Sequence, residues 1–460
     1  MEQLYNSTIA AISTAMSNSG IGIVRMSGPE AFQIADRVYK GKKEKKLCDQ
    51  KSHTIHYGYI VDGEQVIDEV LVMLMRGPHS YTGEDTVEIN CHGGVYVVKR
   101  ILELLIKNGA RPAEPGEYTK RAFLNGRLDL SQAEAVGDLI ASQNEYALQS
   151  SVSQLKGNIK DKISEMREKI LYHTAFIETA LDDPEHISVD GYGETLKKVV
   201  DEIMEAMKRL LDSCDDGRII KEGVRTVILG KPNAGKSSLL NVLLGEDRAI
   251  VTDIAGTTRD VLEEHLNLKG ISLNIMDTAG IRDTEDVVEK IGVDRAKEYA
   301  DKADLILYVI DASRPLDEND AEILHLIKGK RAIILLNKSD LDMQVTKEQE
   351  ELPEEFPVIE ISAKNVQGIE ELEDTLKEMF FQGELTFNDE IYITNVRQKT
   401  ALQDAYAALE RVNDSIAADM PEDFYSIDLM SAYASLGRII GEEVGDDLVN
   451  EIFSKFCMGK

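Results

Sequence analysis

The chain has 460 residues, too many for one hydrophobic core, so two or three domains are expected. Hydrophobic residues make up 43% and charged residues 29%, as in ordinary globular chains, and no run of roughly 18 apolar residues is present to span a membrane. The net charge of −31 argues against broad, nonspecific nucleic-acid binding, which needs Lys and Arg against phosphate.

The charge is uneven. Residues 1–120 carry 14 Lys/Arg and 15 Asp/Glu, so about −30 falls on residues 121–460. A polyanionic partner meets least repulsion at the N-terminal part. The four cysteines (Cys48, Cys91, Cys214 and Cys457) form no Cys-x-x-Cys pair, which argues against a zinc ribbon or a disulfide framework. The opening "MEQLYNSTIAAIST" has no basic n-region, so a cytoplasmic chain with reduced thiols is expected.

In chain order, "GIGIVRM", "VIDEVLVMLM" and "DTVEINCHGG" read as strands, and "VYVVKRILELLIKNGA" reads as a helix ending at Gly109. Residues 1–118 are therefore expected to form an α+β domain. "SQAE", Ser131–Glu134, has the capping-box pattern, and helical periodicity follows to about Leu181 and again over about 194–214. From 221 to 381 the apolar runs "VRTVILG", "ISLNIMD", "ADLILYVID", "RAIILLNKSD" and "FPVIEISA" are separated mostly by helical stretches, the pattern of a mainly parallel α/β sheet. Helical periodicity returns over 395–460. The expected architecture is multidomain, α/β and α+β: residues 1–118, a discontinuous helical domain of 119–220 and 382–460, and an inserted P-loop domain of 221–381.

"GKPNAGKS", Gly230–Ser237, follows a strand and opens a helix, the context a phosphate-binding loop requires. Backbone N–H groups of Asn233, Ala234, Gly235, Lys236, Ser237 and Ser238 can cradle phosphates, with Lys236 reaching the β/γ-phosphates and Ser237 ligating Mg²⁺. "DTAG" (Asp277, Thr278, Ala279, Gly280) ends a strand where a carboxylate can hold the Mg²⁺ shell. "NKSD" supplies Asn337, Lys338 and Asp340, and "SAK" supplies Ser362, Ala363 and Lys364. Asp340 can accept from the N1–H and 2-amino group of guanine, donors that adenine lacks, so GTP is the expected substrate. "GTTRD", Gly256–Asp260, lies between the first helix and second strand of this domain, where a Thr can close over Mg²⁺. Ile281 follows Gly280 where many GTPases carry a water-aligning Gln, and Ile makes no hydrogen bond. Arg259 and Arg282 are candidates for the missing positive charge.

These elements resemble the translation-factor-related GTPases. "PNAGKSSLLN", "VTDIAGTTRD" and "DTAGIRDTEDVVEKIG" together with "TGEDTVEINCHGG", "RAFLNGRLDLSQAEAV" and "FCMGK" resemble the MnmE (TrmE) family of tRNA-modifying GTPases over essentially the whole chain. The resemblance implies a Ras-like GTPase domain in which K⁺ binds beside the phosphates when two such domains pair. The matching K⁺ positions are Asn233, Thr252, Ile254 and Thr257, within a nucleotide-binding loop that also includes Asp253, Ala255 and Gly256. Thr258 matches the Mg²⁺-binding Thr, and Glu289 matches the catalytic residue that orients the attacking water. The N-terminal domain resembles folate-binding domains of the aminomethyltransferase kind. Arg25, Glu88, Arg127 and Lys460 match its contacts to a tetrahydrofolate one-carbon derivative (5-formyl or 5,10-methylene). Cys457 matches a C-terminal cysteine implicated in modification.

The implied function is a K⁺-stimulated, Mg²⁺-dependent GTPase. It would act as a homodimer with an FAD-containing MnmG-like partner in a heterotetramer-type complex. Together they would add a (carboxymethyl)aminomethyl group at C5 of uridine 34 of tRNA. Two rival readings are a GTPase switch in ribosome or ribonucleoprotein assembly, and a folate-binding aminomethyltransferase with a regulatory GTPase appended.

Overall fold

A computed structural model describes residues 7–41, 45–183, 185–186, 191–245, 264–268, 270–276, 291–349, 351–381, 393–442, 444–457 and 459. It divides into two compact units: Met1–Ile140, Val152–Met204 and Thr400–Lys460 form one, and Ala141–Ser151 with Glu205–Lys399 form the other.

The first unit opens with a sheet. Its strands among the described residues are β1 (Ile9–Ile12), β2 (Ser19–Ser27), β3 (Tyr39–Gly41), β4 (Thr54–Asp62), β5 (Gln65–Met75), β6 (Thr86–Gly93) and β7 (Arg111–Pro112). They are ordered β3-β4-β5-β6-β2-β1-β7, antiparallel except for the parallel β1–β7 pair. Alternate residues Val24 and Met26, Val72 and Leu74, and Val87 and Ile89 are buried, because successive side chains of a strand point to opposite faces. In the same core lie Phe32 and Ile34 of helix α1 (Ala31–Val38) and Ile101 and Leu105 of helix α2 (Val95–Lys107).

Helix α3 (Glu117–Leu124) carries Arg121, which is 1% exposed. Its guanidinium donates to Glu117 Oε1 at 2.9 Å and Glu84 Oε2 at 3.1 Å, so the buried charge is paired on both sides. Helix α4 (Leu130–Ala141) starts two residues earlier than "SQAE" implies. The capping box is instead Asp129 with Gln132: Gln132 N donates to Asp129 Oδ1 at 3.0 Å, and Asp129 N donates to Gln132 Oε1 at 3.0 Å. Ser131 Oγ donates to the same Asp129 carboxylate at 2.5 Å, so Ser131 supports the cap rather than forming it. Helix α5 (Glu145–Leu155) begins after Asn144, whose Oδ1 accepts from Ala147 N at 2.7 Å. Helix α6 (Asn158–Asp182) begins after Gly157, at φ 99°. Helix α7 spans Tyr192–Glu222, longer than the periodicity implies. Gly217 hides its last turns from a sequence reading, yet a Cβ there would stand 2.5 Å from the Ile393 carbonyl.

The second unit contains β8 (Val224–Leu229), α8 (Lys236–Leu243), β9 (Glu264–Leu268), β10 (Ile271–Ile275), α9 (Ile291–Lys302), β11 (Leu305–Asp311), α10 (Glu318–Ile327), β12 (Ala332–Asn337), β13 (Val358–Ile361) and α11 (Ile369–Phe381). The sheet runs β13-β12-β11-β8-β10-β9, parallel except for β9 at the edge. Leu305, Leu307 and Val309 join one core with α8 and α11, whereas Ile306, Tyr308 and Ile310 join another with Leu324 and Ile327 of α10. Burial on both faces is why β11 reads as an unbroken apolar run.

Asp304 precedes β11 and accepts from Arg218 Nη2 at 2.8 Å, Arg225 Nε at 3.0 Å and Arg225 N at 3.1 Å. Burial pushes its carboxyl up, but these donors outweigh it and hold it at about 2. The pair therefore stabilises fully above the unfolded value of about 3.9 and is lost as pH falls toward about 2. For those two values the contribution at neutral pH is about 2.5 kcal/mol. Asp304→Asn is expected to lose that much in denaturant unfolding at pH 7. The gap from wild type should narrow by about half at pH 3. A pH-independent gap would assign the loss to packing.

The remaining helices are α12 (Val396–Ala417), α13 (Glu422–Ile440) and α14 (Asp446–Ser454). In the first unit α6 packs on α13. Ile163, Met166, Ile170 and Ile177 are buried on α6, and Leu429, Ala432, Leu436 and Ile440 on α13, both at helical spacing.

Candidate functional site

Two clusters of predicted residues are formed by the described chain. The first lies at the C-terminal ends of the second unit's parallel strands, where ligands bind in open α/β sheets. The loop from β8 to α8 needs unusual backbone: Gly230 has φ 150°, Asn233 φ 63° and Gly235 φ 98°. A Cβ on Gly230 would stand 2.4 Å from the Val309 carbonyl, and one on Gly235 would stand 2.1 Å from Asn337 Nδ2. Neither position tolerates a side chain. Asn233 adopts the left-handed conformation that Asn accepts better than most residues, and it is exposed.

Lys236 Nζ donates to the Gly230 carbonyl at 2.7 Å and the Lys231 carbonyl at 2.9 Å. Burial pushes its ammonium below the ordinary lysine value. An anion at the loop has the opposite effect, so this lysine favours a phosphate that replaces lost solvation. Ser237 and Ser238 occupy the first turn of α8, whose N-terminus attracts anions.

Asn337 ties this loop to the next motif. Its Nδ2 donates to the Ala234 carbonyl at 2.8 Å and its Oδ1 accepts from Ala363 N at 3.1 Å. It is 2% exposed, so both bonds form away from water. Asp340 Oδ1 accepts from Ser362 Oγ at 2.6 Å, and this bond holds the Asp340 carboxyl below the usual range. Lys338, at φ 67°, donates to Asp311 Oδ2 at 2.6 Å. Asp311 Oδ1 accepts from Ser313 Oγ at 2.6 Å. Burial works against ionisation of Asp311, and the Lys338 and Ser313 bonds overcome it. Lys364 contributes to the charge beside Asp340. Three sequence-distant motifs are thus joined by direct bonds. Asp311 was not among the sequence candidates: it lies 26 residues before Asn337, and no local pattern links them.

Thr252, Asp253, Ile254, Ala255, Gly256, Thr257, Thr258, Asp277, Thr278, Ala279, Gly280 and Glu289 lie outside the described residues, as do Ile281, Arg259 and Arg282.

The second cluster is in the first unit. Arg25 of β2 and Glu88 of β6 are register partners, and Arg25 Nε donates to Glu88 Oε1 at 2.8 Å. Both side chains are 15% exposed, so the pair is shielded yet reachable. Two rings frame Arg25, Tyr81 and Tyr118, each with its centroid 5.6 Å from the guanidinium. Arg127 stands over the same Tyr81 ring at 5.2 Å. The Tyr118 hydroxyl donates to the Arg25 carbonyl at 2.7 Å.

The C-terminal tail joins this cluster. Gly116 N donates to the Cys457 carbonyl at 3.4 Å, and Ser13 Oγ and Arg25 Nη1 donate to the Gly459 carbonyl at 3.4 and 3.5 Å. Gly459 has φ 89° and no room for a Cβ, which would stand 2.5 Å from the Ile12 carbonyl. Cys457 is exposed, and Lys460 lies outside the described residues. Arg25, Glu88, Arg127 and the tail therefore converge. Tyr81, Tyr118 and Ser13 were not anticipated, because their relation to Arg25 is set by tertiary contact rather than by spacing.

Residues 8–127 match the family model described as GTP-binding protein TrmE N-terminus, and residues 130–457 match the MnmE helical domain model. A protein of Lachnoclostridium phytofermentans named tRNA modification GTPase MnmE is 58% identical over 454 residues, covering 98% of this chain and 99% of the relative. Proteins of the same name from Acetivibrio thermocellus (51% over 456 residues) and Clostridioides difficile (49% over 454 residues) are covered to the same extents.

Proposed function

The chain belongs to the MnmE family of tRNA modification GTPases, and from that premise we propose a K⁺-stimulated, Mg²⁺-dependent GTPase acting on the wobble uridine of tRNA. The observation that carries the GTP assignment is the bonded frame of Asn337, Ala234, Ala363, Ser362 and Asp340. These bonds support the reading of Asp340 as the carboxylate that meets the guanine edge. Lys236 and the N-terminus of α8 bind the phosphates, and Ser237 and Thr258 would hold Mg²⁺, which neutralises charge between them.

Charge on the transferring phosphoryl group also needs a cation from outside the loop, and removing an Arg in such a role costs roughly 10³–10⁵ in rate. In the proposed reading K⁺ fills that role at Asn233, Thr252, Ile254 and Thr257 when two GTPase domains pair. The exposed Asn233 on a left-handed turn fits an oxygen donor offered outward. Glu289 orients the attacking water.

The second cluster fits a tetrahydrofolate one-carbon derivative. Glu88 accepts from the pterin N–H groups, and Arg25, Arg127 and Lys460 pair with carboxylates or ring oxygens. The folate, when bound, supplies a one-carbon unit, and Cys457 on the converging tail takes part in its use. The chain acts as a homodimer with an FAD-containing MnmG-like partner in a heterotetramer-type complex in the cytoplasm. That partner provides most of the tRNA contact, consistent with a net charge of −31. Domain limits of 1–118, 119–220 with 382–460, and 221–381 belong to the same proposal.

Hydrolysis in KCl and in NaCl at equal ionic strength tests the cation. The expected result is a faster rate in KCl, and Asn233→Ala should remove most of the difference. Equal rates in both salts would exclude K⁺ from the reaction.

A further inference from the structure

One charge cluster beside the phosphate loop, built on a buried carboxylate, has no part in the reaction described above. Asp320, in the first turn of α10, is 1% exposed. Its Oδ1 accepts from the hydroxyl of Tyr308, a fully buried residue of β11, at 2.6 Å. Its Oδ2 accepts from Asp317 N at 3.0 Å and from Lys231 Nζ at 2.6 Å, and Lys231 Nζ also donates to Asp317 Oδ2 at 2.8 Å. Lys231 is the second residue of the phosphate loop. Its carbonyl accepts from both Lys236 Nζ at 2.9 Å and Ala234 N at 3.2 Å.

The capping box of α10 is complete without Lys231. Asp317 accepts from Asp320 N, and Asp320 accepts from Asp317 N. Helix capping therefore explains Asp317 and Asp320 but leaves the lysine unexplained. A lysine drawn out of water also carries a desolvation cost, which the two carboxylates outweigh. What the lysine adds is a fixed point: it ties the loop residue whose carbonyl seats Lys236 to a carboxylate anchored in the sheet.

We propose that Lys231 and Asp320 are a positioning pair for the nucleotide site, holding the phosphate loop in its binding shape before nucleotide arrives. The inference rests on the GTPase reading of this loop. Preorganisation cuts the ordering cost of binding, so loss of the pair raises the dissociation constants of GDP and GTP together, with the preference for guanine retained.

The full-length chain is titrated with a fluorescent GDP analogue and with GTP, alongside thermal melting, for wild type, Lys231→Met, Lys231→Arg and Asp320→Asn. Lys231→Met is expected to weaken both nucleotides by about tenfold to a hundredfold, and Lys231→Arg to restore most of the loss. Asp320→Asn separates positioning from simple charge attraction. It removes a negative charge near the phosphates, so Coulomb attraction alone predicts tighter binding, whereas positioning predicts weaker binding. Tighter or unchanged binding in Asp320→Asn, or a lowered melting temperature with unchanged affinity in Lys231→Met, overturns the proposal. A wild-type chain that binds no GDP would instead overturn the GTPase reading beneath it.

Discussion

Asp340→Asn is expected to abolish the preference for GTP and transfer it to xanthosine triphosphate. The carboxylate offers two acceptors to the N1–H and 2-amino group of guanine. Ser362 Oγ already holds Asp340 Oδ1 at 2.6 Å. In the variant the amide oxygen keeps that bond, which turns the amide NH₂ toward the base. Guanine then meets a donor with its 2-amino group, whereas xanthine offers an oxygen there. Unpaired donors in a designed polar contact cost roughly 10⁴–10⁵ in discrimination. The solvent-facing position of Asp340 places the expected loss in kcat/KM for GTP nearer to 10²–10³, with a gain for the xanthine nucleotide. Retained GTP preference would mean that the base is read elsewhere.

Lys236→Ala should remove hydrolysis while leaving the fold intact. The ammonium is half-buried, bonded among the described residues to the two backbone carbonyls named above, and shifted downward by burial. Its removal relieves a desolvated charge, so the melting temperature of the nucleotide-free chain is expected to stay level or rise. The cost falls on the reaction. A preorganised cation facing developing phosphoryl charge supplies on the order of 10²–10³ in kcat. A variant that keeps wild-type turnover would show that Lys236 is a structural residue of the loop.

Much of the second unit was legible in its sequence, for a physical reason. Strands β8, β11 and β12 place buried apolar side chains on both faces, so they read as apolar runs such as "ADLILYVID". Edge strand β9, "EHLNL", opens on two polar residues, alternates over only four positions and carried no comparable signal. Strand β4, "TIHYGYIVD", has Gly58 at its centre and exposed Ile55 and Tyr57, which blur the alternation.

The capping box of α4 was read two residues late because "DLSQ" and "SQAE" both satisfy its pattern. The acid at Asp129 collects bonds from Gln132 N and Ser131 Oγ, and so wins the N-cap.

The candidate sites divide in the same way. Motif residues were legible where the backbone itself constrains the residue type, as at Gly230, Asn233 and Gly235. Asp311, the Lys231–Asp320 pair and the Tyr81–Arg25–Tyr118 arrangement were not. Each joins segments 27 to 93 residues apart through side-chain bonds or ring contacts whose partners are fixed only by the fold.

GTP hydrolysis by this chain is proposed to serve modification of the tRNA wobble uridine. Nucleoside mass spectrometry of tRNA from a strain lacking the gene tests it most directly. The expected result is loss of the (carboxymethyl)aminomethyl substituent at C5 of uridine 34, restored by the wild-type chain and not by Lys236→Ala. Unchanged modification in the deletion strain would contradict it.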